Sequence, residues 1–156
     1  QANKDNWYKV NFEYVFEKLK KGEDLTLGLT NANPMAVTID LAELRLDTGK
    51  ATLYKWGAAP SYLISKGAAI KIGTATPPPG LSVTDCRETV EQLSLRRGEM
   101  LILFSDGVEA GESLCRGSFW SASPGELAER LIEECRLEED DATVAVLRLQ
   151  PRQLSA

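Results

Sequence analysis

The stretch that decides the fold is GEMLILFSDGV, residues 98–108. Its apolar run from Met100 to Phe104 has the length of a buried strand and is far too short to cross a bilayer. A serine and an Asp-Gly pair follow the run, and Asp-Gly is typical of turns. The segment therefore predicts a central strand that ends at Ser105 and leaves the carboxylate of Asp106 at one edge of a sheet.

A second apolar strand is predicted at residues 142–149, directly after Asp140 and Asp141. If the two strands pair antiparallel, the end of one and the start of the other lie at the same edge, and their acids converge. Converging carboxylates need a cation between them, and hard divalent cations prefer oxygen ligands. Each acid also has an ordinary explanation, because Asp-Gly pairs form turns and loops before strands are polar.

The remaining strands form a series of short hairpins. No strand is expected across residues 74–80, because three consecutive prolines remove three hydrogen-bond donors from a ladder. The alternation of apolar residues with turn residues predicts strands at 36–46, 51–56, 61–65, 69–73 and 88–95, with a further short strand suggested by the leucines at 25, 27 and 29.

Two helices and a loop complete the predicted elements. Apolar residues at helical spacing predict a helix over residues 6–21, and the capping box Ser123-Pro124-Gly125-Glu126 predicts another that ends near Arg136. Residues 108–122 show little periodicity and are predicted to be a loop. Antiparallel hairpins combined with helices favour an α+β fold, with one domain at 36–150, a helix and connector at 1–35 and a tail at 151–156.

Composition removes several classes of function. The 156 residues contain no histidine, which excludes Ser-His-Asp and Cys-His catalysis and sites that need imidazole. Three widely spaced cysteines without a Cys-x-x-Cys pair argue against a disulfide framework and favour a reducing cytoplasm. The net charge of −5 argues against nucleic-acid binding, and no segment predicts secretion or membrane contact.

Five segments resemble, in order, the motifs of type 2C protein phosphatases, in the branch named for stage II sporulation protein E. Residues 98–108 resemble the family's G-D-x-L-h-h-h-S-D-G-h segment, where h is an apolar residue, and residues 140–146 (DDATVAV) resemble its D-D-M-T-h-h-h close. The others are TIDLAEL with DTG (38–49), GAAPS (57–61) and the proline loop that ends at Gly80. The resemblance covers about residues 36–149.

The resemblance implies an αββα sandwich that hydrolyses phosphoserine and phosphothreonine in proteins with a water activated by two Mn²⁺ or Mg²⁺ ions. It implies that Asp106 and Asp140 are metal ligands. Gly107, Asp141 and Ser105 would lie beside the ions, as supporting residues or further ligands. It also implies a phosphoprotein substrate, such as an anti-sigma-factor antagonist, in bacterial sporulation or sigma-factor signalling.

One part of the family's pattern has no counterpart. The first half of the family carries an acidic residue on an early strand and a D-G-x-G motif, whereas Asp106-Gly107 is the only Asp-Gly here and residues 1–35 match neither. Three hypotheses remain open. The chain is part of an enzyme whose first strands lie upstream of Gln1, on another chain or were trimmed; it is a degenerate phosphatase-like binding module; or it is a structural element that associates through a strand edge. We expect little or no turnover from the chain alone.

Overall fold

The computed structural model describes residues 24–32, 37–74, 76–77 and 89–149. These residues form two four-stranded antiparallel sheets and one α-helix. The first sheet has the order β1-β2-β3-β6 and the second the order β5-β4-β7-β8. The elements are β1 (Asp24–Ala32), β2 (Val37–Arg45), β3 (Lys50–Trp56), β4 (Ser61–Ser65), β5 (Ala68–Ile72), β6 (Thr89–Ser94), β7 (Met100–Phe104), α1 (Pro124–Cys135) and β8 (Val144–Arg148).

The predicted strands and the capped helix are present within one or two residues of their expected bounds. The largest difference from the predicted bounds is in the first strand. The alternating leucines suggest a short strand, whereas β1 continues to Ala32 and pairs with β2 along its whole length. The α+β sandwich is therefore confirmed. The predicted helix at 6–21, most of the proline loop and the tail lie outside the described residues.

The central strand β7 explains how the layers hold together. All five of its residues are buried, and alternate side chains point into two different apolar layers. Leu101 and Leu103 pack between the two sheets, whereas Met100, Ile102 and Phe104 pack between the second sheet and α1. A strand that is covered on both faces has to be apolar throughout, which explains the unbroken apolar run at 100–104.

The predicted loop at 108–122 contains two short 3₁₀ helices and contributes to the core. Val108, Ala110, Leu114 and Phe119 are buried and belong to the same apolar layer as α1. Two short 3₁₀ helices, Ser113–Cys115 and Gly117–Phe119, turn these residues inward. Their spacing follows neither the strand nor the helix period, so the pattern gave no signal. The final strand, whose apolar sequence suggests a buried strand, is half-buried along its whole length.

The helix α1 begins as its sequence predicts. The Ser123 hydroxyl accepts a hydrogen bond from the Glu126 amide, and the Glu126 carboxylate accepts one from the Ser123 amide at 2.8 Å. Its apolar side packs on the second sheet through Leu127, Leu131, Ile132 and Cys135. In the part of the chain that the structure describes, no helix combines the length and apolar character needed to span a membrane.

Candidate functional site

The two acidic segments meet at one edge of the second sheet, as expected if their strands pair. β7 and β8 are antiparallel, and Phe104 at the end of β7 pairs with Val144 at the start of β8. Just beyond this pair, the Ser105 amide donates to the Thr143 carbonyl at 3.0 Å, and the Thr143 amide donates to the Ser105 hydroxyl at 2.9 Å. The Ser105 hydroxyl in turn donates to the carbonyl of Asp141 at 3.3 Å. Ser105 therefore ties the two acidic loops together.

Gly107 marks the closest approach of the two loops. A Cβ atom at this position would lie 2.2 Å from the Asp141 carbonyl oxygen, a separation that real Cβ atoms do not adopt. The Gly107 carbonyl also accepts a hydrogen bond from the Leu137 amide at 2.9 Å, and Val108 forms a β-bridge with Arg136. The loop after β7 is thus packed directly against the segment that precedes β8, with no room for a side chain between them.

The three acids themselves face solvent. Asp106, Asp140 and Asp141 are all exposed, and none of the ion pairs found among the described residues involves them. The Asp140 carboxylate accepts a hydrogen bond from the Asp141 amide at 2.8 Å, which orients it. Within the described part of the chain, the edge therefore presents carboxylates from two adjacent loops that no ion pair neutralises.

This donor set fits part of a divalent-cation site. Carboxylate oxygens are the ligands that Mg²⁺ and Mn²⁺ prefer, and the close packing at Gly107 brings both loops to the same point. However, the described residues contain no group of three or more histidine, cysteine or acidic side chains that could hold a metal ion. The edge alone lacks the ligands of a complete site.

A second polar cluster, which the sequence reasoning missed, lies between the two sheets. Asp40, Lys55 and Ser61 are 2%, 1% and 0% exposed. The Lys55 ammonium donates to Asp40 Oδ2 at 2.5 Å and to the Ser61 hydroxyl at 2.8 Å, while Asp40 Oδ1 has no hydrogen-bond partner among the residues that the structure describes. Burial raises the pKa of Asp40 and lowers that of Lys55, although their mutual attraction opposes both shifts.

The alternation of the strands contained a signal for this cluster. Asp40 shares the inward face of β2 with Ala42 and Leu44, and Lys55 shares the inward face of β3 with Leu53. A charged residue on the apolar face of a strand is rarely buried unless it has a partner. Two such residues on adjacent strands could have been recognised as a buried pair.

Comparison with known proteins agrees with the fold. The sequence profile of the family described as stage II sporulation protein E matches residues 15–150. The stage II sporulation protein E of Priestia megaterium is 28% identical over 139 residues, which cover 80% of this chain and 24% of that protein. The chain thus spans about a quarter of the length of that relative.

Solved structures give the same result. The phosphatase domain of the cell fate determinant SpoIIE from Bacillus subtilis, presoaked with manganese, is 25% identical with a TM-score of 0.59, over 74% of this chain and 57% of that one. The serine/threonine phosphatase of S. agalactiae shares the fold at 13% identity, with a TM-score of 0.62 over 76% of this chain and 61% of that one. Because the family profile matches most of the residues, this chain belongs to the stage II sporulation protein E family and has the fold of a type 2C phosphatase domain.

Proposed function

We propose that this chain supplies the carboxyl-terminal part of the active site of a metal-dependent serine/threonine phosphoprotein phosphatase. In this proposal Asp106 and Asp140 are ligands of Mn²⁺ or Mg²⁺, and Asp141 lies beside them. The observation that supports it most is the contact of Gly107 with the Asp141 carbonyl, which joins the two acidic loops at one edge. The family and its solved phosphatase domains support the reaction class.

Each residue of the edge has a distinct part in this proposal. Ser105 fixes the spacing of the loops through its bonds to Thr143 and Asp141, and Gly107 lets the two backbones touch. The hydrogen bond from the Asp141 amide holds the Asp140 carboxylate in one orientation. Divalent cations in such enzymes supply an activated water near neutral pH and offset the charge of the phosphoryl group.

The remaining ligands are proposed to come from outside the described residues. The described part of the chain contains no group of three ligand side chains, and the chain covers 57% of the solved Bacillus domain. Each missing carboxylate removes attraction for a cation, so the chain alone should bind metal weakly. We propose that residues encoded upstream of Gln1, or a second chain, provide the missing acids.

A degenerate binding module is the second candidate function. It is favoured by the same incomplete ligand set of the described residues, because a phosphatase scaffold that lacks the acid of the D-G-x-G motif would keep a binding surface but not the catalytic site. The two candidate functions differ in the effect that adding the upstream sequence should have on phosphatase activity. An enzyme becomes active when the missing acids are supplied, whereas a binding module stays inactive.

The physiological role that we propose follows the family and the named relative. The chain would act in the cytoplasm on a phosphoprotein, such as a phosphorylated anti-sigma-factor antagonist, in sporulation or sigma-factor signalling. The family profile and the relative from Priestia megaterium support the sporulation context.

A phosphatase assay tests the proposal. Hydrolysis of a phosphoserine peptide is measured with and without Mn²⁺ for the chain alone and for the protein extended upstream of Gln1. We expect turnover from the extended protein, and Asp106→Asn should lower it by at least about a hundredfold, more than is usual for residues that only orient a ligand. Glu109→Gln, an exposed acid on the same loop, is the control and should change little. Activity that survives Asp106→Asn contradicts the metal mechanism, and inactivity of the extended protein favours the binding module.

A further inference from the structure

The buried Lys55 links the two sheets through its ammonium group. Lys55 on β3 is the cross-strand partner of Asp40 on β2, so both belong to the first sheet. Its other hydrogen bond goes to the hydroxyl of Ser61, which is the first residue of β4 in the second sheet. One side chain therefore joins β2 and β3 to the start of β4.

The aliphatic part of Lys55 is held as closely as its charge. A Cβ atom at Gly73 would lie 2.9 Å from Lys55 Cδ, and Gly73 has a φ of +84°, which favours glycine. The residue that follows β5 is thus shaped to let this lysine pass. Stability alone gives a weak reason to keep such a pair, because apolar residues of similar volume often replace buried ion pairs without loss. The arrangement instead favours a role in fixing geometry.

A continuous path of contacts leads from Lys55 to the acidic edge. Ser61 is followed by Tyr62, whose ring stacks on that of Phe104 with centroids 5.8 Å apart and an angle of 20°. Phe104 is the last residue of β7 and directly precedes Ser105. Ser105 then carries the hydrogen bonds that set the spacing between the loop of Asp106 and that of Asp140. Tyr62 also pairs with Ile102 on β7, so β4 and β7 are directly paired strands at this point.

We propose that Lys55 is a positioning residue for the acidic edge. Held by Asp40, it fixes Ser61 at the start of β4, and the stacked pair Tyr62–Phe104 carries this constraint to Ser105 and the two loops. The consequence for metal binding rests on the function proposed above. The effect on the geometry of the edge does not depend on that proposed function, and it can be measured without metal.

The same two strands provide a matched control at their other end. Glu99 is buried directly before β7, where its carboxylate accepts hydrogen bonds from the Ser65 hydroxyl at 2.5 Å and from the Arg96 amide at 2.8 Å. Glu99→Gln disturbs a buried polar group between β4 and β7 without touching the path to Ser105. It therefore reports the effect of a loss of stability alone.

The test compares Lys55→Met, Ser61→Ala and Glu99→Gln with the unmodified chain. In the metal-free proteins, amide hydrogen exchange and chemical shifts are measured by NMR for Gly107 and Thr143. We expect Lys55→Met and Ser61→Ala to shift both signals and to speed exchange of the Thr143 amide relative to Glu99→Gln. Mn²⁺ affinity should fall about tenfold in the same two variants, the lower end of the loss seen when groups that orient ligands are removed, and Glu99→Gln should retain it.

Each outcome has a clear meaning. If Lys55→Met does not fold, the milder Ser61→Ala, which keeps the ion pair, gives the answer. A folded Ser61→Ala protein with unchanged Gly107 and Thr143 signals overturns the positioning role, as does an equal response in Glu99→Gln. If the signals change as expected but the unmodified chain binds no Mn²⁺ at the edge, the positioning role stands and the proposed metal ligands are wrong.

Discussion

The two ends of strands β4 and β7 hold their polar groups in different ways. At one end the buried Glu99 has both carboxylate oxygens hydrogen-bonded, to Ser65 and to the amide of Arg96. At the other end Asp40 is also buried, but one of its oxygens has no hydrogen-bond partner among the described residues, and Asp106 and Asp140 leave their carboxylates in solvent. At the first end both oxygens of the buried carboxylate are hydrogen-bonded, whereas at the second end only one of them is, among the described residues.

This difference separates stability from function. Buried polar groups in folded proteins are almost always hydrogen-bonded, and exceptions gather where a protein does chemistry. The end with Glu99 follows the general rule and needs only a structural explanation. At the other end, Asp40 Oδ1 departs from this rule among the described residues, which agrees with a site whose geometry matters more than its contribution to folding.

The largest effect is expected from Lys55→Met. The change leaves the Asp40 carboxylate buried without its cation and should lower the free energy of unfolding by about 3–5 kcal/mol. The double variant Lys55→Met/Asp40→Leu should recover most of this loss, because it removes both charges. Urea unfolding measures both, and a single variant that loses less than about 1 kcal/mol would show that the pair behaves like one at the surface.

The loss in Lys55→Met should also depend on pH. Burial raises the pKa of Asp40 in the folded state, because it disfavours the charged carboxylate relative to the unfolded chain. A raised pKa contributes stability below the unfolded-state pKa that is lost as the pH rises through the folded-state value. Without Lys55 only the hydrogen bond with Ser61 opposes this shift, and the deficit should be larger at pH 8 than at pH 5. A deficit that is independent of pH would contradict the assignment.

A smaller effect is expected at the contact between the two acidic loops. Gly107→Ala forces a Cβ atom into the Asp141 carbonyl, and such overpacking typically costs about 1–3 kcal/mol. Gly28→Ala is the matched control, because a Cβ there would meet only Leu41 Cδ1 at an ordinary 3.5 Å. Thermal unfolding of the two variants compares them directly. Equal stability would mean that the loops can separate freely.

A smaller loss of stability is expected at the N-terminal cap of α1, which belongs to neither end of β4 and β7. Ser123→Ala removes the acceptor for the Glu126 amide and should lower the unfolding free energy by about 1 kcal/mol. The hydrogen bond from the Ser123 amide lowers the pKa of Glu126, so its contribution is present above the unfolded-state pKa and lost as the pH falls through the folded-state value. Glu126→Gln should therefore make unfolding less dependent on pH below about 4.5, as measured by urea titrations at pH 3–6.

Much of this architecture could be predicted from the sequence because local rules decide it. The run 100–104, the glycine turns and the capping box each specify their element without help from distant residues. The pairing of β7 with β8, and hence the meeting of their acidic loops, followed from two apolar strands bordered by acids. The assignment of Asp106 and Asp140 as metal ligands stays a prediction.

The features that were missed depend on contacts between distant segments. Leu114 and Phe119 enter the core only because 3₁₀ turns rotate them inward, and no period in the sequence marks such turns. Lys55 is buried only because Asp40 and Ser61 meet it from another strand and another sheet. The strand alternation marks Asp40 and Lys55 as charged residues on inward faces, but the bond of Lys55 to Ser61 in the other sheet is visible only in the fold.

The smallest effect on folding and the most direct test of the site come from Asp106→Asn. This exposed residue should change stability by less than about 0.5 kcal/mol, yet decide metal binding. The measurement is a Mn²⁺ titration of the chain, followed by paramagnetic broadening of its backbone amide signals. We predict that Gly107 and Asp141 broaden first, that Asp106→Asn abolishes this and that Glu109→Gln does not. Broadening that starts elsewhere, or that persists in Asp106→Asn, would contradict a metal site at this edge.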